Sequence, residues 1–174
     1  YEGTNGIQAL DFVARKLPMN KGETIRELLG MAEATFKKLK GDPEMMEPAW
    51  MLAAALKQIE TISKEITKRP DAIQLILLNA PPLLDMVGSV LCAHFLMDQA
   101  ILAKEKLAEI LDEQGVGTED KKAYKEFLKG HDEAAFYHNK IQTAIHFAYR
   151  ALPTVAAKGA AIRSGEKAPF FAIM

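Results

Sequence analysis

The sequence predicts an all-α protein: a bundle of four or more long antiparallel helices preceded by one short helix. Three observations carry this expectation. The long segments repeat apolar residues at the helical period, and none alternates at the period of a strand. Of the 174 residues, 49% belong to the group AVILMFWYC and 26% are charged, which supplies a core and excludes a disordered chain. Residues 72–103 carry only the charges of Asp85 and Asp98, so one helix must be covered on most sides. The length fits one domain, or one and a fraction.

The elements follow in order. Ile7, Leu10, Ala14 and Leu17 fall at i, i+3, i+7 and i+10 and predict a first short helix. Pro18 stops it, because an interior proline removes a donor and clashes with the preceding turn. Residues 19–23 read as linker. A second helix is expected over 24–40, with Ile25, Leu28, Leu29, Ala32, Phe36 and Leu39 on one face, ended by Gly41-Asp42-Pro43. A third starts near Glu47-Pro48, where a first-turn proline is tolerated, and stops before Pro70. Asn79-Ala80-Pro81-Pro82 must break the charge-poor segment into a short helix and a long one ending at Gln114-Gly115. Thr118-Glu119-Asp120 supplies an N-cap signal. The last helical stretch runs to about Arg163, with disturbances expected at Gly130, Pro153 and Gly159.

Composition removes several function classes. The formal net charge is −1, which leaves no basic footprint for nucleic acid. The single Cys92 cannot form an internal disulfide and fits a reducing compartment, so a cytoplasmic location is expected. Residues 86–97 are too short an apolar run for a membrane span and read as a buried core helix. Cys92, among Val90, Leu91, Ala93 and Phe95, is expected as a small buried hydrophobe. The terminal Phe170, Phe171, Ile173 and Met174 are expected to dock on a surface. Residue one is Tyr1 and not Met, so the chain is expected to be cut from a longer one.

Dinucleotide, Walker and nucleophile-elbow motifs are absent from the sequence. None of His94, His131, His138 and His146 has an acidic residue three positions before it, so no carboxylate-bridged metal pair is expected. His94 and Asp98, four apart, can share a helix face.

The chemistry concentrates in Tyr1-Glu2-Gly3-Thr4-Asn5-Gly6-Ile7-Gln8, followed by Ala9-Leu10-Asp11-Phe12-Val13-Ala14-Arg15-Lys16-Leu17. Physically this is a glycine-containing turn before a helix. Asn5 can cap that helix, with Gln8 at capping-box spacing. Amides at a helix N-terminus attract anions, and Gly3 allows close backbone approach. An ordinary capped helix with a surface Glu2 satisfies the same pattern.

The string resembles the catalytic-glutamate segment of the acyl-CoA dehydrogenase family, Y-E-G-[TS]-x-x-I-Q. Its continuation looks like the subgroup with an extra C-terminal helical domain, such as 3-methylmercaptopropionyl-CoA dehydrogenase, with Ala14 standing where a glycine is expected. The resemblance implies that residues 1–17 end a catalytic α-domain, 18–23 link, and 24–174 form a helical extension. It implies Glu2 as the general base that removes the α-proton of an acyl-CoA while the β-hydrogen leaves as hydride to FAD, giving a trans-2-enoyl-CoA. Gly3 then maps to the substrate contact, and Thr4, Asn5 and Gly6 to a turn touching FAD. The backbone amide of Glu2 would help polarise the thioester carbonyl, and no chemical role falls to Tyr1. An acyl-CoA substrate, an electron-transfer flavoprotein as acceptor and a homo-oligomer are implied for the parent, with the chain alone inactive. A different class of reading makes residues 19–174 an assembly module.

Overall fold

In the computed structural model the described residues are 3–173, and every regular element among them is helical. Helix α1 (Gly3–Asp11) runs into a π-helical turn (Phe12–Lys16) and a 3-10 turn (Met19–Gly22). Then come α2 (Glu23–Leu39), α3 (Met46–Ile66), α4 (Ala72–Leu78), α5 (Ala80–Glu113), α6 (Lys121–Gly130) and α7 (Asp132–Ser164). A 3-10 turn (Ala168–Phe171) follows.

Local chemistry explains the boundaries. After Pro18 the chain reverses through three left-handed residues, Asn20, Lys21 and Gly22, at φ 50, 57 and 79°. Such values are rare outside glycine, so the expected linker is a sharply formed turn. Between α2 and α3, Asp42 accepts hydrogen bonds from the amides of Glu44 and Met45, both at 3.0 Å. Pro81 and Pro82 sit in the first turn of α5, where a missing amide costs nothing. At the far end of α5 the Val116 amide reaches the Leu111 carbonyl and the Gly115 amide that of Asp112, at 2.9 and 3.1 Å. With Gly115 at φ 64° this is a Schellman stop. Asp120 caps α6 through the amides of Lys122 and Ala123. Of the three expected disturbances in the last stretch, only Gly130 separates helices. Helix α7 continues through Pro153, which faces solvent, and through Gly159, which packs against Ile62.

Helices α2, α3, α7 and α5 form a ring in that order, with α5 and α7 sharing the most extensive contact. Consecutive long helices alternate in direction. Around the ring, however, α2 lies parallel to α5: Thr35 meets His94, Lys38 meets Asp98 and Asp42 meets Lys104. Helix α4 carries the chain across the bundle end from α3 to α5. The buried face of α5 includes Ala93, Ala100 and Ala103 and that of α7 includes Ala144 and Ala148, small side chains that allow close helix packing. Leu52, Ile62, Met86, Val90, Met97, Ile141, Val155 and Ile162 fill the core.

A second, smaller cluster joins Ala9 and Val13 to Ala80, flanked by Phe12, Leu17, Ile76, Leu83 and Leu84. This corrects the expected face of the first helix. Ile7 and Leu10 are 67% and 44% exposed, and Ala14 is exposed as well. The π-helical turn after Asp11 widens the backbone and rotates the phase that regular spacing assumes. Two other expectations are overturned. Cys92 is exposed, because Val90, Ala93 and Met97 take the core-facing stripe of α5 and turn position 92 outward. Phe170, Phe171 and Ile173 do not dock; Ile173 is 99% exposed, and Met174 lies outside the described residues. Helix α5 is long and apolar enough to cross a membrane by length and composition, and here one face of it is bundle core.

Candidate functional site

The candidate base, Glu2, lies outside the described residues, as does Tyr1. The described part of the motif begins at Gly3. Gly3, Thr4, Asn5 and Gly6 are all exposed and all helical. This corrects the turn expected at Thr4-Asn5-Gly6 and the cap expected at Asn5: helix α1 is already running at Gly3, so Asn5 sits inside it. A Cβ added at Gly3 or Gly6 would meet nothing within 4 Å. Nothing in the described residues therefore demands glycine at these positions.

Helix α1 packs on the bundle through its small cluster on Ala80, and an exposed two-pronged ion pair joins its last residue to the π-helical turn. The guanidinium of Arg15 donates from Nε and Nη2 to Asp11 at 2.6 and 2.9 Å. Those bonds hold the Asp11 carboxyl below its ordinary range. Around Gly3 and Gly6 the described residues leave open space. They present one exposed helix edge, which is not a cradle for a flavin or for a coenzyme pyrophosphate. By themselves they do not fit either group.

Two hollows lie elsewhere, and neither contains a sequence-predicted site residue. One, of about 540 Å³, is lined by Arg69, Pro70, Asp71, Ile73, Gln74 and Lys167. Here Asp71 accepts from Arg69 Nε and Nη2 at 2.9 and 3.1 Å and from Lys167 Nζ at 2.8 Å. The Arg69 guanidinium, then the Lys167 ammonium, hold the Asp71 carboxyl far below the usual carboxylate range. Gly165, at φ 68°, turns the chain back after α7 so that Lys167 can reach Asp71. This cluster ties the end of α7 to the α3–α4 corner. Sequence spacing carried no signal for it, because Asp71 and Lys167 are far apart along the chain. The other hollow, of about 530 Å³, is lined by Gln142, Ile145, His146, Tyr149 and Arg150 of α7. A hydrogen bond with Glu47, with burial second, pushes the Tyr149 phenol up. Among the described residues no cluster of three or more His, Cys, Asp or Glu could hold a metal ion.

Among the described residues the bundle buries two polar side chains, Thr35 and His94, 2% and 4% exposed. His94 Nδ1 lies 2.9 Å from Thr35 Oγ1, across the α2–α5 seam. Asp98, on the same helix face, lies 3.8 Å from Lys38.

Comparison with known proteins adds the following. The family described as acetyl-CoA dehydrogenase C-terminal like matches residues 24–170. A butyryl-CoA dehydrogenase of Syntrophomonas wolfei is 32% identical over 156 residues, covering 89% of this chain and 23% of the relative. A second butyryl-CoA dehydrogenase of that organism is 28% identical over 160 residues, with the same coverage. The broad-specificity linear acyl-CoA dehydrogenase FadE5 of Mycobacterium tuberculosis is 27% identical over 160 residues, covering 88% of this chain and 23% of the relative. The chain thus spans about a quarter of the length of the curated relatives it matches.

Proposed function

The chain belongs to the acetyl-CoA dehydrogenase C-terminal-like family, and on that premise we propose that it serves an acyl-CoA dehydrogenase and brings that enzyme its general base, Glu2. The observation that carries this reading is one of position. The string Tyr1-Glu2-Gly3-Thr4-Asn5-Gly6-Ile7-Gln8 stands ahead of the family match at residues 24–170, joined to it by residues 9–23. The names of the three relatives support an acyl-CoA substrate.

The proposed reaction is α,β-dehydrogenation of an acyl-CoA thioester to a trans-2-enoyl-CoA, with Glu2 taking the α-proton. A free glutamate titrates near about 4.3 and is a weak base at neutral pH. Closing the site over an apolar acyl chain removes water, disfavours the carboxylate and raises its pKa toward working pH. The amide of Glu2, aimed at the thioester oxygen, would stabilise the developing enolate. FAD enters this reading through the motif alone, as the group that accepts the hydride when bound. Gly3, Thr4, Asn5 and Gly6 offer it and the substrate one exposed edge. The open space around Gly3 and Gly6 and the uncovered Ile7 and Leu10 support a site completed by other parts of the enzyme. An electron-transfer flavoprotein as acceptor, a homo-oligomeric enzyme and a cytoplasmic location complete the proposal.

The test is Glu2→Gln in the enzyme that carries this chain. Flavin bleaching by butyryl-CoA should fall by roughly 10²–10⁴-fold, the usual worth of a general base, while acyl-CoA binding persists. Unchanged bleaching would remove Glu2 from the mechanism. The 174-residue chain mixed with FAD, octanoyl-CoA and a dye acceptor should show no turnover above its Glu2→Gln control.

A second reading has its own observation. The principal core is formed by residues of α2, α3, α5 and α7 and includes none from α1. This supports an assembly role for residues 24–174. If an enzyme lacking them stays active but changes oligomeric state, assembly is their work; if it loses flavin binding, they belong to the site.

A further inference from the structure

We propose that Thr35 and His94 form a pH-gated latch between α2 and α5, shut while the imidazole is neutral and released when it takes a proton. The inference is independent of the catalytic reading. Its geometry is a buried ring at a helix seam with one nitrogen occupied and one not. Nδ1 meets the Thr35 hydroxyl at 2.9 Å, and Nε2 is buried without a hydrogen-bond partner. The ring lies beside Phe95, at 4.7 Å between centroids.

A neutral imidazole has a single N–H. Whichever nitrogen carries it, the hydroxyl of Thr35 can donate or accept to suit Nδ1, and the unmet group at Nε2 is neutral. Protonation makes both nitrogens donors. Nδ1–H still finds the hydroxyl oxygen, but Nε2–H then carries part of a buried charge with no acceptor, which is far more costly than an unmet neutral group.

The charged groups acting on the ring come from both sides of the seam. Asp98 of α5 favours the imidazolium, Lys38 of α2 opposes it, and burial outweighs both, so the ring's pKa lies below its ordinary value. The sign follows. The unfolded chain binds the proton near about pH 6.5 and the folded chain only lower. The latch therefore contributes its full stability above that pH and loses it as pH falls toward the folded value.

Helix α2 is the element that gives way. It buries only Ala32, Thr35 and Leu39, whereas α5 has eleven buried residues, including His94. Loosening α2 also loosens the attachment of the left-handed turn at Asn20–Gly22, and with it the joint to α1.

The test is urea unfolding of the 174-residue chain between pH 8 and pH 5, with amide exchange read on α2 after correction for intrinsic rates. The folding equilibrium constant should fall by up to about tenfold per pH unit below about 6.5, with α2 losing protection first. His94→Gln, which can still bond Thr35 but does not titrate, should flatten that slope. An identical slope in His94→Gln, or no slope in the parent chain, overturns the latch. Should His94→Gln fail to fold, NMR titration of the His94 ring decides. Protonation that coincides with loss of α2 protection upholds the latch, and a ring that titrates near 6.5 with α2 intact overturns it.

Discussion

The bundle and the motif-bearing helix obey different rules although one chain connects them. Helices α2, α3, α5 and α7 bury leucine, isoleucine and methionine against one another and close their ends with chemistry of their own. Helix α1 rests on three small residues, Ala9, Val13 and Ala80, and leaves Ile7 and Leu10 in water. Larger side chains flank that cluster, Phe12, Leu17, Ile76, Leu83 and Leu84, but they are only partly buried. The contrast teaches that burial in this chain is concentrated in the four-helix core, while α1 keeps apolar side chains uncovered.

The comparison can be broken most easily in the core. Leu52→Ala removes a fully buried side chain and should cost about 2–5 kcal/mol by urea unfolding. An effect no larger than that of Val13→Ala, at the α1 cluster, would erase the distinction between the two regions. Gly159→Val comes next. A Cβ there would lie 2.7 Å from Ile62 Cδ1, so overpacking at the α3–α7 seam should cost about 1–3 kcal/mol, seen as a lower melting temperature. Asp120→Ala removes the cap of α6, for about 0.5–2 kcal/mol, and should show as faster amide exchange confined to α6. At the bottom of the scale, Leu10→Ser should leave stability within about 0.5 kcal/mol. In the enzyme the same substitution should weaken whatever covers α1. If it instead destabilises the isolated chain strongly, α1 belongs to the bundle after all.

Acid tests the polar side of the same contrast. The Asp42 carboxylate bridges α2 and α5. Burial raises its pKa, but Lys104 and the amides of Met45 and Glu44 outweigh that, so the folded value lies below the ordinary one. Its contribution is present above the unfolded value near about 3.9 and is lost as pH falls through the folded one. Asp42→Asn should remove that acid-labile part of the stability and leave the His94 slope in place. On lowering the pH the imidazole loss thus begins before the carboxylate loss, at about 6.5 against about 3.9.

Much of the fold could be read from residues acting on their immediate neighbours. Pro18, Pro81-Pro82, Gly115 and Asp120 punctuate helices through backbone sterics and hydrogen bonds within a few positions. The face of α1 could not be read this way, because a π-helical turn changes the residue count per turn just where the period was being measured. The candidate site was legible as a string and not as a place. Asn5 looked like a cap by type and spacing, yet the helix was already under way at Gly3. His94 and Asp98 do share a helix face, as their spacing allows, but the residues they meet on α2, Thr35 and Lys38, carry no signal in the spacing.

By itself the sequence determined that the protein is helical, where most helices begin and end, and which family string precedes them. Those features depend on apolar periodicity and on contacts a few residues long. Only the tertiary structure decided that α2 runs beside α5, that Cys92 faces out, and that Arg69, Asp71 and Lys167 meet. Each of these depends on how whole helices rotate and dock to exclude water, and that choice is made by all their side chains together.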